Sequence, residues 1–372
     1  MTLQDRLSSD GQKKLLALDG GGIRGVITLE VLKRLEEILR DRSGKPDLVL
    51  SDYFDYVAGT STGAIIATCI SIGMTVDAIA KFYHESGPAM FSRAGLLKRF
   101  WYKFSDESLA DQLQTILGKE TTLDDPKIRT LLMLVLRNAT TDSPWPVSNN
   151  PHAKYNQRDR DDCNLGLPLW QLVRASTAAP TYFPPELVTV GKQDFLFVDG
   201  GVTMYNNPTF QMFLMATLEP YKLQWQTGVE KMLIISVGTG TSPSPDANLQ
   251  AGEMNLAYQA SSIPSALMYA AQTEQDLLCR VFGKMLAGCE IDREIGDLKN
   301  TSGPIKEKLF AYARYNAELS DKGLSQLGLS QVRPEHVRQM DSVEFIPEMQ
   351  KVGRRIAEVE VKPEHFDAFP PL

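Results

Sequence analysis

The pentapeptide GTSTG at residues 59–63 has the residue types of a turn that carries a nucleophilic serine. It lies between two apolar stretches, so a strand, a sharp turn and a helix are expected around Ser61. Glycines suit such a turn because side chains would collide there, and the turn would expose the serine hydroxyl at the edge of a sheet. Amides at the start of the helix would favour negative charge in front of them. The same pattern also fits a packed turn whose serine only caps the helix.

The glycine-rich segment DGGGIRG at residues 19–25 also lies between an apolar run and a helical pattern. Gly20, Gly22 and Gly25 satisfy the GxGxxG pattern of a dinucleotide-binding loop, which is followed at a distance by an acidic residue for the ribose. Asp41 stands near that distance, although within a charged helical pattern rather than at a strand end. A dinucleotide-binding protein is therefore one hypothesis for this chain.

A second hypothesis assigns the same glycines to acyl transfer. The backbone N–H groups of Gly20, Gly21 and Gly22 would then form an oxyanion hole for a tetrahedral intermediate. The serine motif farther along the chain favours this hypothesis, because a dehydrogenase would not need it. Arg24 has a fixed positive charge that could hold a phosphate head group or shape the local field.

A serine nucleophile needs a proton acceptor, and the sequence offers two kinds. His336 and His365 follow a plausible acid in the usual hydrolase order, but neither follows a strand pattern. Asp199 ends the apolar run 195–198 and precedes Gly200, which suits direct contact with the serine. The pKa of a free aspartate, about 3.9, makes it a weak base at neutral pH, and burial would raise that pKa. Asp199 could instead only cap a turn.

Short apolar runs alternating with helical patterns predict a three-layer α/β sandwich, since continuous apolar strands suit a sheet covered on both faces. Strands are predicted at residues 14–18, 53–58, 131–136, 195–198 and 232–237, and helices around residues 31–40, 64–72 and 349–359. The polar segment 141–167 is expected to be an excursion or a lid. Beyond residue 241 the strand signal fades, and a mostly helical region is expected.

The composition indicates an ordinary globular protein. Of 372 residues, 43% are hydrophobic and 23% charged, which excludes general disorder. The net charge of −7 argues against binding of duplex nucleic acid. Four scattered cysteines without metal-ligand spacing, and no apolar leader, predict reduced thiols in the cytoplasm. The uncharged stretch 56–76 is long enough to cross a bilayer, but its glycines and hydroxyl residues favour a buried strand, turn and helix.

Four segments in this order together resemble the patatin-like phospholipase family: DGGGIRG at 19–25, GTSTG at 59–63, ASTAAP at 175–180 and DGG at 199–201. The resemblance implies an α/β/α sandwich and a Ser61–Asp199 dyad without a catalytic histidine, a metal or a bound cofactor. It also implies an oxyanion hole from the three consecutive glycines described above, and hydrolysis of lipid acyl esters through an acyl-serine intermediate. The residues expected to support the site are Arg24, Gly25, Gly59, Gly63 and Gly200.

Residues 14–240 are thereby expected to form the catalytic domain, with residues 241–372 packed on it or contiguous with it. Residues 310–329 resemble the C-terminal part of bacterial members of the family, some of which a cyclic dinucleotide activates to degrade the host membrane in anti-phage defence. The resemblance implies such a ligand as an allosteric activator. It also implies a cytoplasmic enzyme that is peripheral at the inner membrane when active. The sequence leaves the oligomeric state open.

A bilayer substrate implies an element that contacts the membrane surface. Residues 96–104 (LLKRFWYKF) are the candidate, because Phe100 and Trp101 share one helical side with other apolar residues and have basic neighbours. The alternative is an aromatic core helix with solvated basic ends.

Overall fold

The apolar runs of the sequence form the centre of one mixed sheet. The computed structural model describes residues 3–90, 106–180, 182–241 and 256–371. Its strands in these ranges are β1 (Lys13–Leu18), β2 (Tyr56–Thr60), β3 (Leu131–Asn138), β4 (Ser143–Ser148), β5 (Glu186–Val190), β6 (Gln193–Asp199), β7 (Met232–Val237), β8 (Lys284–Ala287) and β9 (Ala311–Tyr315). The spatial order is β5-β6-β3-β2-β1-β7-β9-β8, with β4 also paired to β3. The neighbouring strands β3, β2, β1, β7, β9 and β8 pair in parallel, in this spatial order. Strands β4, β5 and β6 pair antiparallel with their neighbours.

Helices cover both faces of this sheet. They are α1 (Leu3–Leu7), α2 (Gly25–Ser43), α3 (Leu50–Tyr53), α4 (Thr62–Ser71), α5 (Val76–Met90), α6 (Asp106–Leu117), α7 (Leu169–Ser176), α8 (Thr209–Thr217), α9 (Leu256–Phe282), α10 (Asp321–Gln326), α11 (Pro334–Arg338) and α12 (Ile346–Glu360). Leu16 and Leu18 of β1 pack in one buried cluster with α2, α4 and α12. Leu15 and Ala17 point to the opposite face and pack with α8 and α9. The predicted three-layer α/β/α sandwich is confirmed.

Two local predictions need correction. The strand predicted from residue 53 begins at Tyr56, because Tyr53 belongs to the short helix α3. Asp52 caps the start of this helix by accepting a 3.0 Å hydrogen bond from the N–H of Val49. The segment 141–167 is not only an excursion, since it contains β4, which pairs with β3. The uncharged stretch 56–76 forms β2 and α4, as predicted.

The region beyond residue 241 is mostly helical where the structure describes it, as expected, but it also completes the sheet. Strand β9 pairs in parallel with β7 on one side and with β8 on the other. The sequence did not predict β9 because Arg314 interrupts an otherwise apolar pattern; in the fold this arginine is buried. The sheet therefore continues across residue 241. None of the described helices is long and apolar enough to cross a bilayer.

Candidate active site

Ser61 lies at the sharp turn between β2 and α4. Its φ angle of 55° is in the left-handed region, which a residue other than glycine adopts only when its surroundings hold it there. A Cβ on Gly59 would lie 2.1 Å from the carbonyl oxygen of Gly63, and a Cβ on Gly63 would lie 2.3 Å from the carbonyl oxygen of Leu18. Only glycines fit at these two positions, because the helix starts in direct contact with both strands.

The hydroxyl of Ser61 meets a single carboxylate. Its Oγ donates a 2.6 Å hydrogen bond to Oδ2 of Asp199, the last residue of β6. The other carboxylate oxygen, Oδ1, accepts a 2.6 Å hydrogen bond from the N–H of Gly201. Gly200 between them packs against the carbonyl oxygen of Val135 in β3. The two bonds orient the carboxylate toward the serine.

The environment of Asp199 makes it a stronger base than an ordinary aspartate. Burial raises the pKa of this carboxyl to about 6, although the hydrogen bonds from Ser61 and Gly201 and the charge of Arg174 act in the opposite direction. With this pKa the carboxylate is mostly ionised at neutral pH, yet it binds a proton about a hundredfold more tightly than an aspartate in water.

The glycine loop lies beside the serine, but its three amides differ. A Cβ on Gly20 would lie 3.2 Å from the Cβ of Ser61. The N–H of Gly20 donates to the carbonyl oxygen of Asn206 over 3.1 Å. Within the described part of the chain, the N–H groups of Gly21 and Gly22 donate to no acceptor. The expectation that all three amides face an oxyanion is therefore corrected: the amide of Gly20 is already engaged.

Arg24 and Gly25 complete the turn into α2. Nε of Arg24 donates to the carbonyl oxygen of Gly21 over 3.4 Å. Burial lowers the pKa of Arg24 to about 10, so the guanidinium is still charged at neutral pH. Gly25 is the first residue of α2 and packs against the side chain of Thr62. Both residues thus lie where they stabilise the loop beside Ser61.

Ser176 is a part of the site that the sequence analysis did not single out. The N–H of Ser61 donates a 3.0 Å hydrogen bond to Oγ of Ser176, which in turn donates to the carbonyl oxygen of Val135 over 2.7 Å. This fully buried hydroxyl connects the serine turn to β3. Its only signal in the sequence is its place in the ASTAAP segment.

The other candidates of the sequence analysis lie away from this constellation. His336 contacts Glu348 over 2.9 Å and stacks on Phe345, and His365 contacts the hydroxyl of Tyr315. Asp41 is exposed on α2 and does not end a strand, so the dinucleotide hypothesis lacks its ribose-binding acid. The proposed membrane element at residues 96–104 lies outside the described residues. Among the residues that the structure does describe, none group as three or more side chains able to hold a metal ion.

A family model described as patatin-like phospholipase matches residues 16–213. This range contains the glycine loop, the serine turn and Asp199. The chain belongs to the patatin-like phospholipase family. The motifs that carry the resemblance in the sequence are thus the ones that the fold brings together around Ser61.

Curated members of the patatin-like family align with about three fifths of this chain. Patatin-17 of Solanum cardiophyllum is 30% identical over 257 residues, which are 64% of this chain and 63% of that protein. A cGAMP-activated phospholipase of Escherichia coli (strain TW11681) is 29% identical over 231 residues, which are 61% of this chain and 62% of that protein. A protein of the same description from Vibrio cholerae serotype O1 is 30% identical over 244 residues, which are 61% of this chain and 64% of that protein.

Proposed function

We propose that this patatin-like protein hydrolyses the acyl esters of phospholipids, at either glycerol ester, with Ser61 as the nucleophile and Asp199 as the base. The observation that supports the proposal is the 2.6 Å hydrogen bond from Oγ of Ser61 to Oδ2 of Asp199. Gly20 of the glycine loop lies next to Ser61, and the amides of Gly21 and Gly22 that follow it have no acceptor among the described residues. A nucleophile, a base that orients it and nearby amide donors are the parts that acyl transfer requires.

In the first half of the reaction Oγ of Ser61 bonds to the ester carbonyl carbon, and its proton passes to Asp199. The carbonyl π electrons move onto oxygen, and the N–H groups of Gly21 and Gly22 donate to the oxyanion. The tetrahedral intermediate then collapses, the ester C–O bond breaks, and the leaving lysolipid oxygen takes the proton back from Asp199. An acyl-serine is left on the protein.

The second half uses the same groups in the reverse order. Asp199 accepts a proton from a water molecule, whose oxygen bonds to the acyl carbon. The oxyanion forms again in front of the two amides, and its collapse breaks the bond to Ser61. Asp199 returns its proton to Oγ, and a free fatty acid leaves. One carboxylate therefore serves as base and acid in turn, for which a pKa of about 6 is well suited.

Mass-spectrometric analysis of products from mixed liposomes tests the reaction. The expected result is a free fatty acid with its lysolipid, both absent with Ser61→Ala and with Asp199→Asn. His336→Ala should retain turnover. Loss of turnover in His336→Ala together with activity in Asp199→Asn would assign the base to the histidine and overturn the dyad. A fluorophosphonate that labels the wild type but not Ser61→Ala gives a second readout of the nucleophile.

We further propose that a cyclic dinucleotide activates the protein for membrane degradation in anti-phage defence. The support is the similarity to two proteins described as cGAMP-activated phospholipases. Thermal unfolding and the rate of ester hydrolysis, each measured with a panel of cyclic dinucleotides, test this. We expect one of the ligands to raise both the unfolding temperature and the rate of ester hydrolysis. If no ligand in the panel changes either quantity, this regulation is excluded.

The site of action proposed for the enzyme is the inner membrane surface, reached from the cytoplasm. Co-sedimentation with liposomes, with and without the activating nucleotide, measures this association. We also propose that the catalytic domain, residues 14–240, works as one unit with residues 241–372, because β9 extends the sheet of the catalytic domain through β7.

A further inference from the structure

The carboxylate of Asp19, immediately before the glycine loop, lies in a fully buried cluster. Asp19 follows the end of β1 and has no exposed surface. Arg314 of β9 donates from Nη1 to Oδ1 over 2.8 Å and pairs through Nη2 with Oδ2. Gln272 of α9 donates its side-chain amide to Oδ2 as well. Both partners of Asp19 thus come from the C-terminal region.

Arg314 is itself held in place by the sheet. Its Nη1 also donates to Oγ of Ser236 in β7 over 2.7 Å, and the N–H of Asp19 donates to the carbonyl oxygen of Val237 over 3.1 Å. Burial by itself would lower the pKa of Arg314, but the carboxylate of Asp19 outweighs it and raises that pKa, so the guanidinium stays charged. Burial raises the pKa of Asp19, while the charge of Arg314 and the hydrogen bonds from Arg314 and Gln272 act in the opposite direction. The cluster therefore pairs a carboxyl with a guanidinium in the buried interior.

Helix α9 has a second connection to the same strand. Asp276, one turn after Gln272, accepts a 2.9 Å hydrogen bond from the hydroxyl of Tyr312 in β9 and pairs with Arg280. The side chain of Gln272 is therefore presented from a helix whose position relative to β9 is determined by polar contacts. A shift of α9 or of β9 would be transmitted to the carboxylate of Asp19.

A buried ion pair is weak evidence for stability, because the desolvation of both ions offsets their attraction. Its position here points to another role. Two peptide units separate Asp19 from Gly21, whose N–H is one of the two loop amides without an acceptor in the described part of the chain. The other polar contacts of this short segment are at its backbone. The N–H of Gly20 donates to Asn206, the carbonyl oxygen of Gly20 accepts from the hydroxyl of Thr239 over 2.8 Å, and that of Gly21 accepts from Arg24.

We propose that Arg314 and Gln272 are positioning residues of the active site: they hold Asp19, and through it they place the amides of Gly21 and Gly22 where the oxyanion forms. This inference rests on the proposed acyl-transfer function. The C-terminal region then completes the oxyanion hole, although no side chain of that region is proposed to touch the substrate.

The chain contains a matched control for this proposal. Arg6 and Asp55 form a second buried pair, 3.0 Å apart, at the opposite end of the sheet. Asp55 precedes β2 and accepts a 2.8 Å hydrogen bond from the N–H of Lys14, at the start of β1. Arg6→Met therefore removes one partner of a buried ion pair far along the strands from the glycine loop.

The experiment compares Arg314→Met, Gln272→Met and Arg6→Met with the wild type in the full chain. Each is assayed on a soluble ester and with a fatty acyl trifluoromethyl ketone, which forms a hemiketal with Ser61 and places an oxyanion in the hole. In Arg314→Met, kcat should fall by about 10²-fold with KM within about twofold, since a displacement of about 1 Å can cost that factor. In Gln272→Met, kcat should fall by about tenfold. The inhibition constant of the ketone should weaken by the same factors.

Arg6→Met should lower the unfolding temperature but retain kcat and ketone affinity. Equal kcat and ketone affinity in wild type, Arg314→Met and Gln272→Met would overturn the proposal and leave the cluster a structural role. Should Arg314→Met fail to fold, unchanged ketone affinity in Gln272→Met overturns it as well. The proposed function fails separately, namely when the wild type neither hydrolyses the ester nor binds the ketone.

Discussion

Ser61 and Asp199 are 138 positions apart in the chain, and their side chains meet over 2.6 Å. The serine directly follows β2 and the aspartate ends β6, and β3 lies between these strands in the sheet. The antiparallel pairing of β6 with β3 brings the end of β6 to its neighbour's Leu136, next to Val135, whose carbonyl oxygen supports both Ser176 and Gly200. Three segments, those of Ser61, Ser176 and Gly200, thus converge on one stretch of β3.

The pH dependence of catalysis should report the ionisation of Asp199. Because the base must be deprotonated and its pKa is raised to about 6, kcat/KM for a neutral soluble ester should rise with pH to a plateau, with a midpoint near 6. Asp199→Asn should lower kcat by about 10³-fold, the range of a lost general base. A midpoint near the usual pKa of an aspartate, or substantial activity in this variant, would contradict the assignment.

The same carboxylate should reduce stability at neutral pH. The folded state, with its raised pKa, binds the proton of Asp199 more tightly than the unfolded chain does, so the stabilisation present below about pH 4 is lost as the pH rises through about 6. The difference of about two pKa units corresponds to about 3 kcal/mol.

Asp199→Asn cannot ionise, so its free energy of unfolding relative to the wild type should increase by up to about 3 kcal/mol between about pH 4 and pH 7. Urea unfolding of both proteins at both pH values measures this, and the comparison cancels the other titrating groups. A difference that does not change with pH would show that the carboxyl is not destabilised by its site.

Ser176 should prove necessary for the geometry of the serine turn. In Ser176→Ala the N–H of Ser61 loses its acceptor within a buried environment, at a cost of about 1–3 kcal/mol. We expect kcat to fall by about tenfold or more as the turn relaxes. Thr177→Ala is the control, because its hydroxyl donates to Arg174 rather than to the turn. Equal kcat in the two variants would refute this role.

Gly63 should tolerate no side chain. In Gly63→Ala the new Cβ would lie 2.3 Å from the carbonyl oxygen of Leu18, so α4 must move away from β1 and the nucleophile with it. Fluorophosphonate labelling of the soluble variant should be lost. Gly44→Ala provides the comparison: Gly44 has a φ of 67° and open space around it. That variant should lose about 1 kcal/mol of stability and keep full labelling. Normal labelling of Gly63→Ala would contradict the close approach.

Much of the fold was determined by local patterns. The apolar runs of β1, β3 and β7 and the helical spacing of α2 and α12 were predicted from the sequence. A continuous apolar run needs cover on both faces, and an amphipathic stretch needs only one, so each pattern restricts its element to few environments. The glycines of the serine turn and the aspartate at a strand end likewise indicated the two positions that the fold brings within 2.6 Å.

Only the tertiary structure decided how these parts act on one another. The amide of Gly20 is engaged by Asn206, Ser176 accepts from the serine turn, and Arg314, the one charged residue of β9, is buried against Asp19. Each of these facts depends on a partner far along the chain. A polar side chain or an amide by itself prefers to be in water, and it can be buried only where it finds a hydrogen-bond partner. Whether that partner is present depends on which strands and helices become neighbours in the fold.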